Sequence, residues 1–169
     1  MSASLVIQTS FLGDMVLTTP LLAYLAGLGP VDVVCTPAAG ALLENHPAVR
    51  EKIIYDKRGR DRGWAGATRL ARRLRDSEYA VAYLAQGSVR SGAIAFMARI
   101  PERIGFATSA GRWFYTKRIA PIDDMHHAAR LLSLGTGLEW SATHPPRDPP
   151  SAELRPRLYP GERERIAVD

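Results

Sequence analysis

The feature that most constrains the fold is an alternation of short apolar runs with segments of helical periodicity. The apolar runs are rich in β-branched side chains, which is typical of strands buried in a sheet. Strands that alternate with helices indicate βαβ units and hence a mostly parallel sheet wrapped by helices. The sequence therefore predicts an α/β fold, with strands at residues 4–8, 31–35, 52–55, 79–84 and 103–106.

The helical segments occupy the intervals between these strands. They are predicted at residues 15–28, around 40–45, and at 64–75, 90–98 and 124–134, with a loop starting at residue 119. Pro20 allows two arrangements of the first helix. Either the helix begins at Asp14 and bends, or Thr19 caps a helix whose first residue is Pro20. In the third helix, one apolar stripe is expected to face the core, formed by Trp64, Ala67, Leu70, Ala71 and Leu74.

Composition indicates a globular domain whose partners are acidic. The chain has 169 residues, of which 46% are hydrophobic, enough for one domain with a sizeable core. Its single cysteine, Cys35, excludes an intramolecular disulfide and is expected to be a small buried side chain at the end of a strand. The net charge of +5 comes mainly from arginine, which suits bidentate recognition of phosphates and carboxylates. No secretory signal and no apolar stretch long enough to span a bilayer are visible, so a cytoplasmic protein is expected.

A change of composition marks the end of the predicted domain. Residues 144–160 hold six prolines among charged side chains, too many for a regular element. We predict a Rossmann-like domain at residues 1–140, a proline-rich linker at 141–162 and the start of a second domain at 163–169.

The loop after the first strand is the strongest candidate for chemistry. In open α/β sheets, ligands bind at the carboxyl ends of the strands, where loops meet helix N-termini. This loop has no glycine-rich phosphate-binding motif, and its single Gly13 precedes the acidic Asp14. Two roles are open for Asp14. It can cap the following helix, or it can accept a proton from a substrate hydroxyl, and one carboxylate can do both.

Basic side chains follow other strands of the predicted sheet. Lys57, Arg58, Arg60 and Arg62 form one loop, which is either a solvated surface or an anion-binding site. Arg90 lies in the segment that opens the fourth helix, where Ser88 is a candidate cap. The four histidines have no metal-ligand spacing, so no metal site is predicted.

Several segments resemble glycosyltransferase family 9, the ADP-heptose:lipopolysaccharide heptosyltransferases. The resemblance runs in order from about residue 5 to residue 138. Its segments are IQTSFLGDMVLTTPLL at 7–22, HPAVR at 46–50, IYDKR at 54–58, AQGSVRS at 85–91, IPERIGF at 100–106 and HHAAR at 126–130. The YDKR segment is closer to the type II enzymes.

The resemblance implies the N-terminal half of a GT-B fold, in which two Rossmann-like domains face each other across a cleft. It implies an inverting, metal-independent transfer of heptose from ADP-heptose, with no cofactor. The acceptor would be lipid A carrying Kdo, or a heptosylated core, met by peripheral contact with the cytoplasmic face of the inner membrane. Asp14 would be the catalytic base, and Ser10, Lys57, Arg58, Arg60 and Arg90 would bind the acceptor.

The chain also departs from that family, because a two-domain enzyme needs about twice its length. We therefore expect the 169 residues to fold but to transfer no sugar. The alternative is a non-catalytic module that binds anionic glycans or lipids, or a partial gene product. Specific nucleic-acid binding is not expected, because the arginines are not interleaved with aromatic residues that could stack on bases.

Overall fold

The computed structural model describes residues 3–121, 126–136 and 155–161. It contains six parallel strands: β1 Ser4–Gln8, β2 Val31–Cys35, β3 Glu51–Ile54, β4 Val81–Leu84, β5 Glu102–Phe106 and β6 Lys117–Ile119. The helices are α1 Leu12–Ala26, α2 Pro37–Leu42, α3 Gly63–Asp76, α4 Val89–Met97 and α5 His127–Thr136, with one 3₁₀ turn at Arg112–Phe114.

The strands form one sheet in the order β3-β2-β1-β4-β5-β6. The chain thus winds outward from β1 in one direction and then from β4 in the other. All carboxyl ends of the strands lie at one edge, and the strand order reverses between β1 and β4, where ligand clefts form in such sheets. This confirms the predicted α/β, Rossmann-like fold with flanking helices.

Alternation along β1 divides the core into two layers. Leu5 and Ile7 pack on the side of α3 and α4, whereas Val6 packs with α1, α2 and α5 on the other side. Because every central strand is buried on both faces, its sequence is a nearly continuous apolar run. Cys35 is fully buried at the end of β2, as predicted.

Two predictions about the elements are wrong. The prediction began a loop at Ile119 and gave no strand before it, whereas Lys117–Ile119 forms a sixth strand. Lys117 and Arg118 give this strand no apolar pattern, and only its backbone pairing with β5 defines it. Trp64 is 56% exposed, whereas the other members of its stripe are buried, because it lies in the first turn of α3 at the rim of the core.

The first helix resolves the question of Pro20. Helix α1 begins at Leu12 and continues through Pro20, so the alternative in which Thr19 caps it is wrong. Proline has no N–H to give to the carbonyl of Val16 one turn earlier. The hydroxyl of Thr19 donates to that carbonyl at 2.7 Å and replaces the missing bond.

The last predicted segments fall largely outside the described residues. Residues 137–154 and 162–169, which include most of the predicted linker and all of the predicted second-domain start, are not described. The boundaries at 140 and 162 stay predictions. Residues 155–161 lie against α1, where the Arg157 N–H donates to the Thr19 hydroxyl at 3.1 Å.

Burial of Cys35 makes the stability of the fold sensitive to alkaline pH. Burial raises the pKa of the Cys35 thiol to about 11 from its ordinary 9.0, and nearby Lys52 opposes the rise. Below pH 9 the thiol is protonated in both states. As pH rises from 9 to 11, only the unfolded chain loses the proton, so this contribution to stability is lost. At pH 10 the loss is about 1.4 kcal/mol. Urea unfolding at pH 8 and 10 measures it, and a decrease of the same size in Cys35→Ala would contradict the prediction.

Candidate functional site: a cationic cleft at the carboxyl edge of the sheet

A cleft of about 660 Å³ opens where β1, β2, β3 and β4 end. The loops that follow these strands supply its walls. They contribute residues 9–13 after β1, 36–38 after β2, 55–58 after β3, and Gln86 after β4. The cleft therefore occupies the switch point of the sheet, the position at which sequence and topology together predict a ligand.

The floor of the cleft is a network of hydroxyl and amide groups. The Thr9 hydroxyl donates to Gln86 Oε1 in a short contact, and the Ser91 hydroxyl donates to the same oxygen at 3.3 Å. Both bonds fix the orientation of the Gln86 amide. No described residue accepts a hydrogen bond from Gln86 Nε2, so this donor is available to a ligand. Gln86 belongs to the AQGSVRS segment, but the sequence alone indicates no role for it.

Ser10 lies in the wall of the cleft, as its predicted role requires. Its hydroxyl donates to Gln8 Oε1 at 2.5 Å. Gln8 Nε2 donates in turn to the Thr18 hydroxyl on α1, at 3.2 Å. Ser10 is therefore held in place by the end of β1 and retains lone pairs that a hydroxyl or ammonium group of a ligand could approach.

Three of the predicted cationic residues gather on one side of the cleft. Lys57 and Arg58 line it, and Arg90 lies close enough to act electrostatically on Lys57 and on Tyr55, which also lines it. Partial burial, followed by the charges of Arg58 and Arg90, lowers the pKa of the Lys57 ammonium. No carboxylate among the described residues forms an ion pair with any of these three cations. The cluster is thus a site where a bound anion relieves mutual repulsion.

Arg60 is placed away from this cluster. It lines a separate shallow depression with Asp61 and Arg69, its side chain is mostly exposed, and its Nε is 3.8 Å from Asp61 Oδ2. Its backbone carbonyl accepts a hydrogen bond from Arg69 at 3.1 Å. The structure therefore does not bring Arg60 into the cleft, and its predicted part in acceptor binding stays a prediction.

Asp14 lies in the first turn of α1, beside the cleft. The N-cap of the helix is Phe11, and the carboxylate of Asp14 accepts the Phe11 backbone N–H at 3.3 Å. Asp14 is therefore not the N-cap itself; from the third position of the helix its carboxylate satisfies the free N–H of the N-cap residue. Its side chain is about one third exposed, so capping leaves it accessible to a substrate hydroxyl.

A histidine that sequence analysis left without a role faces Asp14 from α5. His127 Nε2 lies 3.9 Å from Asp14 Oδ1, and Arg130 donates to His127 Nδ1 at 2.7 Å. Because arginine is always a donor, the neutral imidazole carries its proton on Nε2, facing Asp14. Burial and then Arg130 lower the pKa of His127, whereas Asp14 opposes them. The only sequence signal was the HHAAR segment, which does not show that the starts of α1 and α5 meet.

Ser88 caps α4, as predicted, by accepting the Ser91 N–H at 3.1 Å. Within the described ranges, no three His, Cys, Asp or Glu side chains converge as a metal site would require. None of the helices in those ranges combines the length and apolar character needed to cross a bilayer.

The family of the chain follows from a match to a known family model. The model of glycosyltransferase family 9 (heptosyltransferase) matches residues 67–154, slightly more than half of the chain. The chain belongs to glycosyltransferase family 9.

Solved structures of family 9 and heptosyltransferase proteins share the fold. One is a family 9 glycosyl transferase from Veillonella parvula, with a TM-score of 0.81 and 21% identity over 99% of this chain and 48% of that one. Another is the E. coli ADP-heptose lps heptosyltransferase II, with a TM-score of 0.74 and 24% identity. The match covers 99% of this chain and 49% of that one. A third is E. coli heptosyltransferase WaaC with ADP-2-deoxy-2-fluoro heptose, with a TM-score of 0.69 and 22% identity. The match covers 80% of this chain and 47% of that one.

The family 9 chain spans about half the length of these structures. Identities below 25% establish a common fold, and they leave the substrates of this chain to be argued from its own cleft. A search of curated proteins finds no significant match.

Proposed function

We propose that this chain supplies the acceptor-binding half of an inverting heptosyltransferase that acts on the inner core of lipopolysaccharide. The observation that carries the proposal is the unpaired cluster of Lys57, Arg58 and Arg90 beside a floor of hydroxyl and amide groups. Cations suit the phosphates and carboxylates of a Kdo-bearing lipid A, and the polar floor suits sugar hydroxyls. Family 9 membership supplies the reaction class.

In this proposal Asp14 is the base that removes the proton from the acceptor hydroxyl. Its carboxylate is partly exposed next to Gly13, which lines the cleft. The deprotonated hydroxyl oxygen then attacks the anomeric carbon of ADP-heptose, and ADP leaves with inversion. The donor would bind a second domain, with neither a metal nor a cofactor. The protein would work in the cytoplasm, at the inner face of the inner membrane.

Two assays on the purified chain test this proposal. We expect a soluble, phosphorylated Kdo-glycan to bind in a salt-sensitive manner, and we expect no heptose transfer from ADP-heptose. Absence of acceptor binding would contradict the acceptor assignment. Transfer by the 169 residues would contradict the need for a donor domain.

Replacing Asp14 by asparagine separates binding from chemistry. Asparagine keeps the shape and the capping acceptor but cannot take a proton. In an enzyme completed by a donor domain, we expect the transfer rate to fall by about 10³-fold. Acceptor affinity should change by less than about twofold, because Asp14 is not one of the cations that hold the anion. Transfer at the wild-type rate would remove Asp14 as the base.

A non-catalytic module that binds anionic glycans is the second candidate. The cations that line the cleft without ion-pair partners among the described residues would serve this role equally well. It predicts the same acceptor binding, but it predicts that the Asp14→Asn variant remains fully functional in the cell.

A further inference from the structure

An exposed tryptophan lies between the last two strands of the sheet and takes no part in the proposed chemistry. Trp113 lies in the 3₁₀ turn between β5 and β6, and 72% of its surface is exposed. Leaving a side chain of this size in water forgoes about 1.5–3 kcal/mol of burial energy. Indole rings are enriched at membrane–water interfaces, where the apolar ring and the polar N–H are both accommodated.

Cations surround this indole. The guanidinium carbons of Arg112 and Arg118 lie 5.0 and 5.8 Å from the ring centroid. Arg118 Nε donates to the carbonyl of Arg112 at 3.0 Å, and Arg112 Nη1 donates to the carbonyl of Ser109 at 3.4 Å, so both side chains are tied to the turn. Lys117 is exposed on the same edge strand. No carboxylate in the described part of the chain forms an ion pair with any of these three cations.

The turn begins next to the segment that follows β4 and runs back towards the start of β5, where the Thr116 N–H donates to the carbonyl of Arg103 at 2.9 Å. The Gly111 N–H donates to the carbonyl of Gly87 at 3.0 Å, and Gly87 follows Gln86 in the cleft floor. Val89, at the start of α4, is also exposed close to this junction. The aromatic ring and the cations therefore lie at the β5–β6 end of the sheet, next to the segment that opens α4.

We propose that Arg112, Trp113, Lys117 and Arg118 form an aromatic–basic patch that docks the protein on an anionic lipid bilayer. The indole inserts at the level of the headgroups, and the cations pair with lipid phosphates. Unpaired positive charge beside an exposed indole complements that surface, whereas a neutral bilayer would leave the cations without partners. The patch rests on the proposed function only for its purpose, which is to bring the cleft to a lipid-linked acceptor.

Vesicle binding by the 169-residue chain tests the patch without any sugar acceptor. We expect binding to mixed phosphatidylglycerol–phosphatidylcholine vesicles, weak binding to pure phosphatidylcholine, and a blue shift of tryptophan fluorescence. Trp113→Ala should weaken binding about tenfold. Arg112→Gln/Arg118→Gln should weaken it roughly thirtyfold, and high salt should do the same.

Trp64→Ala is the matched control, because Trp64 is also exposed but has only one guanidinium, that of Arg90, over its ring, whereas Trp113 has two. Its vesicle affinity should stay within about twofold of the wild type. Equal binding to neutral vesicles, or undiminished binding by Trp113→Ala, would overturn the patch. Tighter, Trp113-dependent binding to single-stranded DNA would overturn it in favour of nucleic acid.

The vesicle assay can fail without a failure of the proposed function, because glycan binding is measured separately. Trp113→Ala should bind the soluble Kdo-glycan as the wild type does, because no patch residue lines the cleft. Loss of vesicle binding with retained glycan binding supports the patch, and loss of both in this variant contradicts it.

Discussion

Asp32→Asn is expected to lower the free energy of unfolding by about 2–3 kcal/mol, because it removes a buried carboxylate that accepts three hydrogen bonds, although half of the Arg50 side chain stays in water. Asp32 is fully buried in β2. Its carboxylate accepts two hydrogen bonds from Arg50, at 2.9 and 2.5 Å, and one from the Tyr79 hydroxyl, at 2.6 Å. An amide in its place would turn one acceptor into a donor that faces other donors.

The pKa shifts of its partners report the same network. The hydrogen bond to Asp32 raises the pKa of Arg50, and burial followed by the bond to Asp32 raises the pKa of Tyr79. Urea denaturation of the variant measures the loss. Tyr79→Phe is the control and should cost only about 1 kcal/mol, because it removes a single hydroxyl. An Asp32→Asn variant within 1 kcal/mol of the wild type would show that the network does not hold the sheet.

Gly66→Ala is expected to destabilise the fold by about 2 kcal/mol, although alanine is the better helix former. A Cβ at Gly66 would lie 2.1 Å from the carbonyl oxygen of Asp61, which belongs to the loop preceding α3. Alanine in a helix interior gains only about 1 kcal/mol over glycine. That gain is smaller than the cost of displacing backbone, so the steric effect wins.

The same substitution should also weaken anion binding in the cationic cleft, because it displaces the loop that supplies two of the cations. The loop from Asp56 to Arg62 carries Lys57 and Arg58 and is fixed by its own bonds, including Asp61 N–H to the Asp56 carbonyl at 2.9 Å. Gly13→Ala is the control for stability, because nothing lies within 4 Å of a Cβ there. It should be neutral or stabilising by up to about 1 kcal/mol. A Gly66→Ala variant with wild-type stability would contradict the close packing of Gly66 against the Asp61 carbonyl.

The central sheet was predictable because its strands are buried on both faces. Ser4–Gln8 and Val31–Cys35 have the predicted bounds, since their apolar runs end abruptly at polar or helix-starting residues. The sixth strand was not predictable, because Lys117 and Arg118 on a sheet edge carry no apolar signal. Asp32 illustrates a related limit. Its partners, Arg50 and Tyr79, are 18 and 47 residues away, and only the fold brings them together.

The position of the candidate site could be predicted from the sequence, but only some of the residues that form it could. Ser10, Lys57 and Arg58 line the cleft because they follow strands that end at one edge. Arg60 follows the same strand, yet it lines a separate depression between the end of β3 and α3. His127 and Gln86 were missed as site residues. Their relevance depends on contacts to Asp14 and Thr9 that join elements far apart in sequence.

The most direct test of the central claim is a calorimetric titration of the chain with the soluble, phosphorylated Kdo-glycan. Wild type would be compared with Lys57→Ala/Arg58→Ala and with the control Arg72→Ala, which removes an exposed cation on α3. We predict that the double variant binds at least tenfold more weakly at low salt and with a shallower salt dependence. Arg72→Ala should bind as the wild type does. Equal affinities for all three proteins would contradict the assignment of this cleft as the acceptor site.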